Sequence, residues 1–93
     1  MNLSQILQNY PHTPAKWVLK AKVIRKPERI NPDRPFMIIN MLDEQNQSIE
    51  GVFFGQNAVE NFARLAVGKD YLFNNGQVKT KKNSNDSFEI KFN

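Results

Sequence analysis

The chain has 93 residues and a mass of 10.8 kDa, so it can bury one modest hydrophobic core but not two. Forty per cent of the residues are hydrophobic, there is no Cys, and the only His is His12. These counts exclude disulfides, thiolate nucleophiles and a multi-histidine metal cage. The net charge of +4 favours a polyanionic partner. The sequence contains no run of 18 apolar residues, so it predicts no membrane span.

The first half of the sequence predicts a lead-in arm followed by three strands. Residues 1–15 contain two prolines and no long periodicity, so we expect an arm. The apolar side chains that we expect to pack it on the core are Leu3, Ile6, Leu7 and Tyr10. Residues 17–25 alternate as a strand, and the prolines at 27, 32 and 35 then predict an irregular loop. Residues 36–42, apolar on both sides, predict a central strand, and residues 48–54 a third one after a polar turn.

The second half predicts one short helix and two further strands. Asn57 is a candidate N-cap, helical spacing of apolar residues follows it, and Gly68 is expected to end the helix. A fourth strand over residues 71–82 contains Gly76, which predicts a bulge or a sharp coil. Residues 83–86 are typical of a hairpin turn by composition.

The last alternating segment, residues 88–92, completes a chain order of three strands, a helix and two strands. This is the order of the OB-fold, a five-stranded, partly open Greek-key barrel. The sequence therefore predicts an all-β fold with one short helix, in which residues 16–93 form a single OB domain after the arm.

Basic residues are concentrated in two blocks. Residues 16–34 have seven basic and two acidic side chains, a net charge of +5, and residues 79–93 have a net charge of +2. The intervening residues 35–78 have a net charge of −3. In an OB-fold the loops after the first and fourth strands flank the binding face, and the two blocks coincide with those loops. The pattern indicates a positive groove for nucleic acid, although solvated surface lysines would give it too.

Four ordered segments carry the most specific pattern in the sequence. They are residues 16–23 (KWVLKAKV), residues 42–44 (LDE), a segment with Ile49, Phe54, Val59 and Phe62, and residues 71–79 (YLFNNGQVK). In this order they resemble the DNA-binding OB domains in the large subunit of replication protein A, whose relatives include telomere- and telomerase-associated proteins. The resemblance runs from about Tyr10 to Phe92 and implies that the chain binds single-stranded DNA.

The resemblance implies stacking of bases on two aromatic side chains. One belongs late in the third strand, where alternation turns Phe54 to the groove if Phe53 faces the core. The second belongs on the fifth strand, where Phe88 is the expected residue and Phe92 a competing assignment. Stacking suits unselective binding because every base offers a π-face, although each of these side chains could instead belong to the core.

Basic side chains are expected to bind the phosphates. Lys79 matches a family position that reaches the DNA backbone, and Arg29 and Arg34 occupy the loop that supplies family arginines and lysines. Lys81 and Lys82 are assigned by charge and by their position at the hairpin.

Glu50 departs from the family, which has an arginine on the groove face of the third strand. An acid there either lowers affinity through phosphate repulsion or accepts a hydrogen bond from an exocyclic base amine.

The resemblance also implies partners and a location. We expect single-stranded DNA, including a G-rich telomeric repeat, as the ligand, other OB-fold subunits or tandem OB domains as partners, and a nuclear location. The chain stops soon after its last strand, so we expect a piece of a longer multi-OB chain. Clustered metal-binding carboxylates and a phosphate-binding glycine loop are missing, so no enzyme activity, metal or cofactor is expected. A protein-interaction OB domain and single-stranded RNA binding remain alternatives.

Overall fold

A computed structural model describes residues 2–8, 10–12, 16–81 and 84–92 and shows a mostly β fold. In chain order the elements are α1 (Leu3–Leu7), β1 (Leu19–Arg25), β2 (Phe36–Asp43), β3 (Ser48–Phe54), α2 (Gly55–Arg64), β4 (Asp70–Phe73), β5 (Gly76–Lys81) and β6 (Ser84–Phe92).

The strands form one sheet in the order β4-β1-β2-β3-β6-β5, with antiparallel neighbours except for the parallel β3–β6 pair. The two edge strands, β4 and β5, are consecutive in the chain and are separated only by Asn74 and Asn75. A connection of two residues spans about 11 Å at most between the last Cα of β4 and the first Cα of β5. The two edges therefore lie near each other, and the sheet curls around its core. The predicted fourth strand is divided into β4 and β5, so the sheet has six strands where five were predicted. No ladder joins β4 to β5 in the described residues, so the predicted barrel is not confirmed.

The predicted fourth strand is interrupted one residue earlier than expected. Asn75 has a φ of 61°, in the left-handed region that Asn tolerates better than most residues. Gly76 has no such conformation and begins β5. A Cβ at Gly76 would overlap the Ile90 side chain and lie 3.0 Å from the ring of Phe92. The glycine therefore permits a close approach of strands. The bulge or sharp coil predicted at Gly76 is replaced by a break in the strand at Asn74 and Asn75.

Strict alternation divides each central strand between an inner face on the core and an outer face. The inner side chains of β1 and β2 are Leu19, Ala21, Val23, Met37, Ile39 and Met41, all buried. On β3, Phe53 is 2% exposed and Phe54 is 42% exposed, so the predicted orientation of these two residues is confirmed.

An inner aromatic cluster of Phe53, Phe73 and Phe92 lies on the inner face. The rings of Phe53 and Phe92 are stacked, with centroids 4.8 Å apart and planes 13° apart. Phe73 lies 5.7 Å from Phe92. Phe92 is 4% exposed, which makes the competing assignment of Phe92 as a stacking residue wrong.

The lead-in arm contains a helix that the sequence did not predict. Asn2 and Gln5 form a capping box at the start of α1. The buried Asp43 carboxylate accepts the Leu3 backbone N–H at 2.9 Å, which fixes α1 to the end of β2. Of the four apolar side chains expected to pack, Leu3 and Ile6 are buried and Leu7 and Tyr10 are partly buried against the core. The predicted packing of the arm is confirmed.

Helix α2 begins and ends earlier in the chain than predicted. It begins at Gly55, with Phe54 as an N-cap that makes no side-chain hydrogen bond, so Asn57 is not the cap. It ends at Arg64, before the expected stop at Gly68.

The C-terminal carbonyls of α2 bind a lysine from the β1–β2 loop. The Lys26 ammonium donates to the carbonyls of Phe62 at 2.6 Å and Leu65 at 2.7 Å, and it lies 4.4 Å from the Phe62 ring centroid. A cation at a helix C-terminus satisfies free carbonyls and interacts well with the helix dipole. Lys26 therefore fastens one end of the loop to the helix.

The hairpin turn predicted at residues 83–86 is described from residue 84 onward, and residue 83 lies outside the described residues. Residues 84–86, predicted as part of the turn, belong to β6. Thr80 pairs with Phe88 and Lys81 with Ser84, so the pairing shifts register between those two positions. The extra β6 residues are accommodated as an irregularity within the ladder.

Candidate nucleic-acid interface

Two exposed phenylalanines lie side by side on the outer face. Phe36 of β2 and Phe54 of β3 are register partners, and their ring centroids are 5.2 Å apart. They are 46% and 42% exposed, whereas large apolar side chains are usually buried. We call them the outer aromatic pair. Sequence analysis found Phe54 but not Phe36, although the second apolar face of β2 was the available signal.

The next row of the outer face adjoins the pair with two apolar side chains and a cation. Ile38, Val52 and Lys91 are register partners across β2, β3 and β6. Val52 is buried, and the Lys91 ammonium lies 5.9 Å from the Phe54 ring centroid, within cation–π distance. Lys91 was not predicted as a site residue, because only the register shows that it lies beside Phe54.

Further along the same face lies a row of polar and charged side chains. Asn40, Glu50, Glu89 and Lys79 are partners across β2, β3, β6 and β5. The Lys81 ammonium reaches across β6 to Glu50, with Nζ 2.6 Å from Oε1. Glu50 therefore does not present an unbalanced negative charge to the groove.

The remaining predicted cations have different surroundings. Arg29 and Arg34 are exposed in the β1–β2 loop, and within the described residues neither has an ion-pair partner. Lys82 lies outside the described residues. Lys26 is bound to α2, and Lys22 of β1 lies opposite Asp70 of β4. The cations of the first basic block therefore have different surroundings. Arg29 and Arg34, in the β1–β2 loop, are exposed and unpaired among the described residues, as a phosphate-binding role requires.

A cleft of about 450 Å³ lies at the end of the sheet that is remote from the outer aromatic pair, where outer-face side chains meet the inner-face positions Ile49 and Phe88. Its lining includes apolar side chains from β1, β3 and β6 and polar ones from β2, β3 and β5. They are Ile24, Ile49, Phe88, Asn40, Glu50 and Lys81. Leu7 of the lead-in arm also lines it. The cleft is thus partly apolar and partly charged.

Phe88 lines this cleft and does not join Phe54 in one stacking platform. The β3–β6 register separates the two residues by five positions, about 17 Å along the strands. Phe88 is half-buried and makes an edge contact with Tyr10, with centroids 4.9 Å apart. The two predicted stacking residues are therefore far apart, and Phe36 is the aromatic neighbour of Phe54.

Two further searches cover the described part of the chain. No group of three or more His, Asp or Glu side chains there is arranged to hold a metal ion. No helix among the described residues is long and apolar enough to cross a membrane.

The fold is similar to that of a chain in a solved structure of a replication protein A heterotrimer bound to single-stranded DNA. The TM-score is 0.66 and the sequence identity 22%, over 91% of this chain and 22% of that chain. The present chain thus spans about a fifth of the length of that neighbour. At this identity the likeness shows the fold alone, a replication protein A-like OB fold. No protein-family model and no curated protein matches the sequence.

Proposed function

We propose that the chain is a single-stranded DNA-binding OB module whose outer face, across β2, β3 and β6, is the binding surface. The observation that carries the proposal is the outer aromatic pair next to Lys91. Each ring leaves part of its surface open to solvent, where a base can stack for about 1–3 kcal/mol without regard to sequence. Lys91 is placed to meet a phosphate next to a base stacked on Phe54.

Cations on both sides of this face support electrostatic capture of the strand. Arg29 and Arg34 belong to the β1–β2 loop, Lys79 belongs to β5 and Lys91 to β6. Because Lys81 is paired with Glu50, this acid does not face the strand as an unpaired negative charge. Phosphate contacts of this kind make affinity strongly dependent on salt.

The same proposal includes the setting in which the module works. The structural neighbour is part of a heterotrimer bound to single-stranded DNA, and the present chain spans only a fifth of it. This supports a module acting beside other OB domains or subunits. A nuclear location and a replication- or telomere-type assembly are further parts of the proposal. In this setting the module binds DNA without catalysis or cofactor, and a G-rich telomeric repeat is one of its ligands.

A protein-interaction module is the second candidate, and an exposed side chain on β4 favours it. Leu72 is 67% exposed on the edge strand β4, which is separated from β6 by β1, β2 and β3 in the sheet. Exposed apolar side chains of this kind occur at protein interfaces, but a single one is also common on ordinary surfaces. Glu50, the residue that most favoured this alternative in the sequence, is balanced by Lys81.

Truncation of the outer aromatic pair tests the proposal. Binding of a labelled 15-residue oligo-dT would be measured by fluorescence anisotropy for Phe36→Ala, Phe54→Ala and the control Leu72→Ala. Each pair variant should weaken binding by about 1–3 kcal/mol, or roughly 5- to 150-fold, because a stacking ring is lost. The control should change binding less than twofold.

Two results would contradict the proposal. One is oligo-dT binding that neither Phe36→Ala nor Phe54→Ala weakens. The other is an equal loss in Leu72→Ala, which would show that the effect is not specific to the outer aromatic pair. Competition with oligo-rU in the same assay separates DNA from RNA binding, since the proposal expects the DNA to compete better.

A further inference from the structure

The cleft at the far end of the sheet has the size and lining of a site for a flat, partly polar ligand. Its volume of about 450 Å³ lies within the range of small-molecule pockets, about 300–1,000 Å³. Ile24, Ile49 and the ring of Phe88 supply apolar walls. Such walls suit the faces of a nucleobase, and the polar side chains must then meet its edge.

One polar wall consists of an amide next to a carboxylate. Asn40 and Glu50 are direct register partners on β2 and β3, and both line the cleft. Side chains opposite each other in an antiparallel pair have Cβ atoms about 4.5–5.5 Å apart, so the two groups can contact one ligand edge together. Lys81 contacts Oε1 of Glu50 at 2.6 Å and restrains the carboxylate. A carboxylate has about four acceptor positions, so this ion pair leaves others for a ligand.

Guanine has the complementary base edge. Its N1–H and its N2 amine are adjacent donors that one carboxylate can accept together, and the neighbouring O6 can accept from the Asn40 amide. Thymine offers one donor flanked by two acceptors, which a carboxylate repels. Adenine and cytosine each offer an amine beside an acceptor nitrogen, so neither gives the carboxylate two donors.

We infer that the cleft binds one guanine base of a single-stranded ligand, with Phe88 against the base and Glu50 and Asn40 on its Watson–Crick edge. The inference rests on the proposed function, because it requires a strand that follows the outer face from the outer aromatic pair to the cleft. Phe88 then contacts a different base from those stacked on Phe36 and Phe54, which agrees with their separation.

The test compares two 15-residue oligonucleotides, oligo-dT and the same strand with one central dG. The dG should tighten binding about tenfold, within the range of a bidentate contact to a base. Deoxyinosine at that position, which lacks the N2 amine, should lose most of the gain. Glu50→Gln, which replaces one acceptor by a donor, should bring the dG-to-dT affinity ratio close to one.

The matched control is Glu89→Gln. Glu89 is the register partner of Glu50 on β6 and has the same charge, but it does not line the cleft. The control removes an equal charge from the same row, so its dG-to-dT ratio should stay near tenfold.

The outcomes separate this inference from the proposed function. If oligo-dT binds and Phe54→Ala weakens it, but dG gives no gain, only the guanine site is wrong. A gain that survives Glu50→Gln, or disappears equally in Glu89→Gln, also overturns it. If no oligonucleotide binds at all, both the proposed function and the guanine site are wrong.

Discussion

The inner aromatic cluster and the outer aromatic pair contain the same residue type in opposite environments. Phe53 and Phe54 are consecutive, yet Phe53 is stacked on Phe92 inside the sheet and Phe54 lies beside Phe36 outside it. The difference arises only from the alternation of a strand. It teaches that one strand of an aromatic-rich sequence can supply a core on one face and an exposed aromatic surface on the other, where binding is proposed.

The largest effect that can test this division is expected at Phe53. Phe53→Ala should lower the free energy of unfolding by about 3–5 kcal/mol, because it leaves a cavity against Phe92. Urea denaturation would measure the loss, with Phe54→Ala as the matched control at the next residue. Phe54→Ala should change stability by less than about 1 kcal/mol, since its ring is half exposed. If Phe54→Ala unfolded the domain and Phe53→Ala did not, the division between the two faces would be wrong.

The inner face also holds a charge, and a second prediction concerns its titration. Burial of Asp43 opposes ionisation, but backbone N–H groups of Leu3, Gln47 and Gln45 outweigh burial and lower the pKa of Asp43 below its ordinary value. A lowered pKa in the folded state gives stability that is complete above the unfolded pKa of about 3.9. That stability is lost as the pH falls through the folded pKa.

Asp43→Asn should therefore lower stability at pH 7 by about 1.5–3 kcal/mol, the range for a hydrogen bond to a charged group. Denaturation at pH 7 and at several acidic values would measure the difference between the two proteins. The difference should shrink as the pH falls below about 4. A gap between wild type and variant that stays constant over this range would show that the Asp43 carboxylate does not stabilise the fold through its charge.

The smallest effect concerns the cations that flank the outer face. If Arg29, Arg34, Lys79 and Lys91 each neutralise one phosphate, the log–log salt slope should be about −3, at about −0.7 for each contact with a single strand. Lys79→Ala should reduce its magnitude by less than one unit, with no change in base preference. Lys69→Ala, in the turn before β4, is the control and should leave the slope unchanged. An affinity that does not depend on salt would contradict the electrostatic part of the proposed surface.

Local patterns predicted the strands and their faces well. The alternation around Phe53 and Phe54 and along β1 is contained in a few consecutive residues, and the structure confirms it. The OB-type order of elements followed from the same patterns, and the likeness to the replication protein A chain supports that fold. Helix α1, with five residues, is too short to give a period in the sequence.

The features that the sequence missed depend on residues that are distant in the chain. Gly76 is required by the side chains of Ile90 and Phe92, which reach it only after β5 and β6 pair. Phe36 lies in a strand that is apolar on both sides, so alternation alone could not show which side faces solvent. The ion pair of Glu50 with Lys81 spans an intervening strand, and no spacing rule predicts such a contact.

The order of the strands has a consequence for the sequence of folding events. The β2–β3 ladder closes over a short turn from Leu42 to Ser48, whereas the β1–β4 ladder joins Leu19 to Phe73. Loop closure costs more entropy as the loop lengthens, and distant pairings slow folding. We therefore expect the β2–β3 hairpin, which holds the outer aromatic pair, to form early and the strands that complete the curled sheet to pair last. The outer aromatic pair would then be in place before the strands that complete the curled sheet have paired.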